Sequence, residues 1–274
     1  MNYDIAVAYR IYPKISKNPA VFPDDKYKLS ELCLKSFKSS LGALRSKIWF
    51  ILDNCPAEYK SLCLSVFDEK DLVFIEPKGV GNAATFGMQM DILSQQNDSE
   101  YMFFAEDDYF YLPDTFSEML NLIKSSPDVH FVTPYDHDDY YNLKLHSSNY
   151  KIIYHQKRHW RTAASTCMTF LTNKKILAQS SSVFRTYTRN NYDSSLWMAL
   201  TKVNIFKLSV IFHDFFHHSS YFKTYLKLFY HTFFQAFFGR KYSLYAPIPS
   251  LGTHLEKAFL APGIDWNTEF QKDQ

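Results

Sequence analysis

Between residues 5 and 133, short apolar runs alternate with helical stretches, and this alternation limits the folds open to the chain. Residues 5–9, 47–52, 72–75, 101–105 and 129–133 read as buried strands. Between them, 28–44, 59–67, 83–93 and 116–123 read as helices, the first with Leu29, Leu32, Cys33, Phe37 and Leu41 on one face. Repeated strand–helix units predict an α/β fold, a mostly parallel sheet covered by helices on both faces. In such sheets ligands bind beyond the carboxyl ends of the strands. Tyr9-Arg10, Asp53 and the triplet Glu106-Asp107-Asp108 all fall at such ends.

The triplet carries the strongest chemical signal. Acids at the tip of a buried strand repel one another and resist desolvation, so they persist most easily beside a divalent cation and its phosphates. Alternation along a strand puts Glu106 and Asp108 on one face and Asp107 on the other. A solvated acidic turn is the alternative.

At 274 residues the chain has room for one large α/β domain, alone or with an appendage. Seven glycines are too few for a repetitive β-sandwich or a glycine-rich dinucleotide motif. A net charge of +2 and a pI near 8.2 give no support for a nucleic-acid partner. Cysteines 33, 55, 63 and 167 have no zinc-like spacing and read as reduced thiols of a cytosolic protein. With no secretory signal and no apolar run of about 18 residues, a cytoplasmic location is expected.

The second half is less regular. Residues 165–171 read as a strand, 174–179 as the start of a helix and 194–203 as a helix behind Asp193. Asp136 and His137 open a polar–aromatic run suited to holding a sugar, or simply a solvated loop. Trp160 stands in a cationic–aromatic cluster with Arg158, His159 and Arg161 that is suited to a diphosphate or an acceptor. Residues 205–245 are aromatic throughout and carry Lys207, Lys223, Lys227, Arg240 and Lys241, with Phe222, Leu226, Phe229, Phe233 and Phe237 at helical spacing. They read either as a packed helical subdomain or as a surface that meets an anionic leaflet.

The order of these pieces over residues 3–203 resembles the GT-A fold of nucleotide-sugar glycosyltransferases, in the style of family 2-like bacterial enzymes of capsule and O-antigen synthesis. The resemblance implies a catalytic domain over 1–204, with a nucleotide-binding half to about 112 and an acceptor half beyond it. Residues 205–274 then form a helical segment and closing tail. It places Tyr9 and Arg10 at the nucleobase, Asp53 at the uracil or ribose, and Gly81-Asn82 along the ribose. Glu106-Asp107-Asp108 corresponds to the DXD motif. Asp108 is then a direct ligand of Mn2+ or Mg2+, Glu106 a ligand directly or through water, and Asp107 a ribose contact. Residues 164–171 would wall the donor and acceptor sugars.

Three residues keep two readings each. Asp193 is the catalytic base or a helix N-cap, His254 is a late metal ligand or structural, and Asp53 is a nucleotide contact or a turn residue. The implied activity is metal-dependent transfer of a sugar from a nucleotide donor, a UDP-sugar, to a glycan or lipid-linked glycan acceptor. Peripheral membrane contact would run through 205–245. The rivals are a sugar nucleotidyltransferase and a non-catalytic glycan-binding protein. Against the first, residues 10–14 after the first strand hold no glycine.

Overall fold

The computed structural model describes residues 2–15, 18–146 and 148–272. β1 (Ile5–Ile11), β2 (Ser46–Leu52), β3 (Leu72–Ile75) and β4 (Tyr101–Glu106) pair in parallel in the order β3-β2-β1-β4. Their crossovers are α1 (Lys26–Leu41), α2 (Ala57–Val66) and α3 (Asn82–Gln95). The residues of β1 are buried throughout, as a strand covered on both faces must be. Tyr9 and Ile11 face the core under α1, while Ala6 and Ala8 face the one under α3.

Beyond β4 the sheet becomes mixed. After β5 (Tyr109–Tyr111), α4 (Thr115–Ser125), β6 (Phe131–Val132) and α5 (Asp139–Asn142) come a hairpin, β7 (Ile152–His155) and β8 (Arg158–Ala163), and then β9 (Phe170–Asn173). β9 runs antiparallel between β4 and β6. This strand starts later than its sequence suggests because the residues before it spend their polar groups on side-chain bonds to distant parts of the chain. Thr166 and Thr133 hydroxyls meet at 3.0 Å, and Thr169 donates to Glu106 at 2.9 Å. Residues 164–169 are therefore a loop. Phe170 stacks on Phe104 at 4.5 Å and meets Trp197 edge-on at 5.0 Å, which centres the second core.

α6 (Lys174–Phe184) and α7 (Asp193–Thr201) lead to two aromatic helices, α8 (Leu208–His217) and α9 (Ser219–Phe237). The tail then re-enters the main body. β10 (Leu244–Ile248) slots between β6 and β8, β11 (Gly252–His254) pairs antiparallel with β5, and α10 (Trp266–Lys272) packs on Phe110. Pro247 is tolerated in β10 because the β6 ladder reaches only Leu244 and Tyr245, so its missing N–H is not needed there. Gly252 is required where it stands: a Cβ would sit 2.9 Å from the Phe110 carbonyl oxygen. Residues 205–274 thus divide into helices on the surface and a tail built into the sheet.

Among the described residues no helix is long and apolar enough to cross a membrane. α9 packs on α7 through Tyr225, Leu228 and Ala236. Much of the aromatic stripe legible in the sequence points the other way: Leu226 is 55%, Phe233 47% and Phe237 48% exposed.

Candidate functional site

The carboxyl ends of β1, β2 and β4 open into a cleft of about 580 Å3, lined by Arg10, Tyr12, Lys14, Lys26, Asp53, Gly81, Asn82, Thr85 and all three acids of the triplet. Register explains the convergence, because Arg10 pairs with Glu106 and Ile11 with Leu52. Asp53, just past β2, accepts from the Val80 and Gly81 amides at 2.9 and 2.8 Å. It thereby pins the 79–81 loop, where Gly79 and Gly81 adopt positive φ of 73° and 85°, conformations that favour glycine. The pinned loop presents Asn82 at the start of α3.

Arg10 is held from two sides. It donates to Glu106 Oε1 at 2.7 Å and to the Asn82 carbonyl at 2.9 Å, and it also bonds the Asn82 side chain. The other Glu106 oxygen accepts from Thr169. Both Glu106 oxygens are thus engaged by protein donors, so its immediate role is to anchor Arg10. Asp107 likewise differs from the expected ribose contact. Its buried carboxylate accepts from the Tyr12 amide and Ser30 hydroxyl at 3.2 Å each, and Lys26 Nζ lies 2.8 Å away. Burial alone lowers the Lys26 pKa, but Asp107 and Asp108 raise it above the ordinary value. Loss of either partner would strand a buried charge, a cost of about 3–5 kcal/mol. Tyr9 does not reach the cleft: it is fully buried between Phe37 and Phe50, because its neighbour Arg10 takes the cleft side of β1.

Asp108 is the acid with spare capacity. Oδ2 lies 3.0 Å from His254 Nε2, while Oδ1 is buried with no hydrogen-bond partner among the described residues. The β11–β5 pairing sets His254 opposite Tyr109, and Leu255 N donates to the Asp108 carbonyl at 2.8 Å. A late histidine is thereby delivered to the acid triplet. Burial works against it, but His254, Lys26 and Arg10 hold the Asp108 carboxyl well below the usual range. Among the described residues no three His, Cys, Asp or Glu side chains are gathered as a ready-made metal cage. An orphaned carboxylate oxygen with an imidazole beside it still fits a hard divalent cation whose remaining ligands are phosphate oxygens and water, the usual arrangement for Mg2+ at nucleotide sites.

Asp193 opens α7 as its first residue and accepts from the Ser194 amide at 2.6 Å, while Tyr192 holds the N-cap position. Burial raises the Cys167 thiol pKa, and the charges of Asp193, Glu106 and Asp108 raise it further against a hydrogen bond with Tyr109, so Asp193 and two acids of the triplet act on one side chain. His137 is half-buried against Tyr135 and Phe259. Asp136 is buried and accepts from Tyr141. Burial pushes its carboxyl up to about 6, against the opposing effects of that hydrogen bond and of Arg161. Trp160 is 1% exposed in the main core, so its side chain is withheld from solvent and any acceptor. Two of the cations around it are engaged within the fold. Arg158 pairs with Glu118 at 2.7 Å, and Arg161 is buried over the rings of Tyr150, Tyr141 and Tyr140 at 3.7, 4.6 and 5.3 Å.

Lys14, Lys26, Thr85 and Thr169 are site residues that periodicity does not flag. A lone lysine before a helix looks like any solvated cation until the fold sets it against an acid.

The sequence matches no protein-family profile and no curated relative. Similar solved structures include the 4-diphosphocytidyl-2C-methyl-D-erythritol synthase of Anaerococcus prevotii, at 10% identity over 72% of this chain and 81% of that one, with a TM-score of 0.42. Another is the mannosyltransferase of Pyrobaculum calidifontis in complex with GDP-Man and Mn2+, at 14% identity over 75% and 53%, with a TM-score of 0.43. A third is the glycosyltransferase GlyE of Streptococcus pneumoniae, at 13% identity over 83% and 52%, with a TM-score of 0.39. The chain spans about half the length of the latter two. At these scores the likeness is one of general α/β layout.

Proposed function

We propose that the chain is a metal-dependent glycosyltransferase that moves a sugar from a nucleotide donor, a UDP-sugar, to a glycan acceptor. The observation that carries this reading is the pairing of Asp108, with its orphaned oxygen, and His254 at the edge of a cleft lined by Arg10, Lys14 and Lys26. With Arg10 and Lys26 paired to Glu106 and Asp107, the cleft keeps Lys14 and the carboxylate–imidazole pair, an arrangement that suits a diphosphate arriving with its metal better than a neutral ligand. Asp108 and His254 would hold Mn2+ or Mg2+, which neutralises charge on the departing nucleoside diphosphate. Glu106 and Asn82 keep Arg10 aimed into the cleft, and Asp53 shapes the loop against which the nucleoside rests. Asp193 takes the proton from the attacking acceptor hydroxyl. The test is whether UDP is released from UDP-sugars with and without Mn2+, since a glycan-binding protein releases none. A nucleotidyltransferase would instead consume a nucleoside triphosphate. The residues 12–15 that follow β1 hold no glycine with which to wrap one.

The acceptor is proposed to be membrane-linked, in surface polysaccharide synthesis. α8, α9 and the residue after α9 expose Phe216 at 73%, Tyr230 at 84%, Phe234 at 78% and Phe238 at 78%, on a segment that carries Lys223, Lys227, Arg240 and Lys241, of which Lys227 also donates to the Asn190 carbonyl and Arg240 bonds His130. Aromatic rings among cations suit the boundary of an anionic leaflet. The protein is expected to pellet with phosphatidylglycerol-containing liposomes at low salt and to be released as ionic strength rises. No sedimentation at low salt would remove the membrane assignment.

A further inference from the structure

A second cavity, of about 180 Å3, lies between the 165–167 loop, α5, the 143–146 segment and α9, and Asp193 forms part of its wall. His137, Asp139, Tyr140, His146 and Tyr221 line it as well. His146 is 5% exposed, and its Nδ1 has no hydrogen-bond partner among the described residues. An unmade bond at a buried nitrogen costs about 1–3 kcal/mol, so such atoms are normally met by water or ligand. Burial, helped by His137, pushes the His146 pKa down to about 4, so the ring is neutral at physiological pH. The surrounding wall is fixed. The Tyr140 hydroxyl donates to the Ser165 carbonyl, the Tyr150 hydroxyl donates to the Tyr140 carbonyl at 2.7 Å, and the Arg161 guanidinium stacks over both rings. His137 Nδ1 accepts from the Asp139 amide at 3.0 Å, which leaves its hydrogen on Nε2. The cavity thus offers an imidazole donor, a carboxylate acceptor and an unsatisfied imidazole nitrogen, with aromatic rings between them. This mixture suits vicinal hydroxyls on a sugar ring.

We propose that this cavity seats the terminal sugar ring of the acceptor, with hydroxyls hydrogen-bonded to His146 and Asp139 and the attacking hydroxyl beside Asp193. The assignment rests on the glycosyltransferase reading and specifies its acceptor subsite. In the transfer, the acceptor oxygen bonds to the anomeric carbon as the bond from that carbon to the diphosphate oxygen breaks. The electron pair leaves with the nucleoside diphosphate, and the hydroxyl proton passes to the Asp193 carboxylate. Tyr221, from α9, lines the same cavity, so this helix contributes to the acceptor side as well as to the surface.

The test measures saturation-transfer NMR of the full chain, without nucleotide, against a panel of methyl glycosides of common hexoses and N-acetylhexosamines. His146→Phe keeps the ring that packs edge-on to Tyr140 and removes both nitrogens; Asp139→Asn is a milder change at the cavity edge. At least one glycoside is expected to bind the wild type saturably, and both variants to weaken it about 10-fold or more while leaving UDP affinity with Mn2+ unchanged. Unchanged glycoside affinity in the variants, or no saturable binding of any glycoside to the wild type, overturns the assignment. If His146→Phe does not fold, Asp139→Asn alone decides. Failure of UDP to bind would count against the glycosyltransferase reading instead, and the nucleotide-free titration separates the two.

Discussion

Asp108→Ala is expected to abolish Mn2+-dependent UDP binding while leaving the fold intact. The substitution removes both the orphaned Oδ1 and the oxygen that faces His254 at 3.0 Å. His254 would be left as a single neutral ligand, too weak to hold a hard cation against water. The fold should survive, because the β11–β5 pairing runs through backbone bonds and Leu255 N donates to the Asp108 carbonyl, which alanine keeps. Calorimetric titration of UDP in the presence of Mn2+ reads the loss directly, with thermal melting as the control for folding. Undiminished binding would remove Asp108 from the metal site.

Asp193→Asn should lower turnover by about 10²-fold or more, the scale of general base catalysis. Donor binding should persist, since Asp193 is not among the residues lining the cleft at the ends of β1, β2 and β4. The substitution also separates catalysis from capping. Asparagine keeps the side-chain oxygen that accepts from Ser194, so α7 should be disturbed little, and Tyr192 rather than Asp193 occupies the N-cap. Transfer at near wild-type rate would leave Asp193 a local structural residue. The base would then be sought among Asp136, Asp138 and Asp139, or a retaining mechanism preferred.

The parallel half of the sheet is legible in the sequence because a strand buried on both faces must be continuously apolar and must stop where the sheet does. β3 falls at the expected residues 72–75, and β1, β2 and β4 differ only at their ends. The same logic marks Arg10, Asp53 and the acid triplet as strand-end residues. Where each side chain goes depends on partners distant in sequence, and here single-sequence reasoning fails. Tyr9 and Arg10 are adjacent, yet alternation sends one into the core and the other into the cleft. Asp107 is committed to Lys26, 81 residues away. Trp160 resembles a sugar platform in the sequence, but its ring packs into the main core, and β10, paired beside it in the sheet, carries a proline that argues against a central strand. The stripe on α9 has the period of a buried face. It lies outside because Tyr225, Leu228 and Ala236 present an equally apolar opposite side to α7. Periodicity alone does not say which of two apolar faces packs.

The most direct measurement of the central claim is release of UDP from UDP-sugars by the full chain, in Mn2+ and after chelation with EDTA. Slow release is expected in Mn2+, with loss on chelation, recovery when Mn2+ is restored, and no release from Asp108→Ala under any of these conditions. Release that is unaffected by chelation, or by removal of Asp108, would contradict that claim.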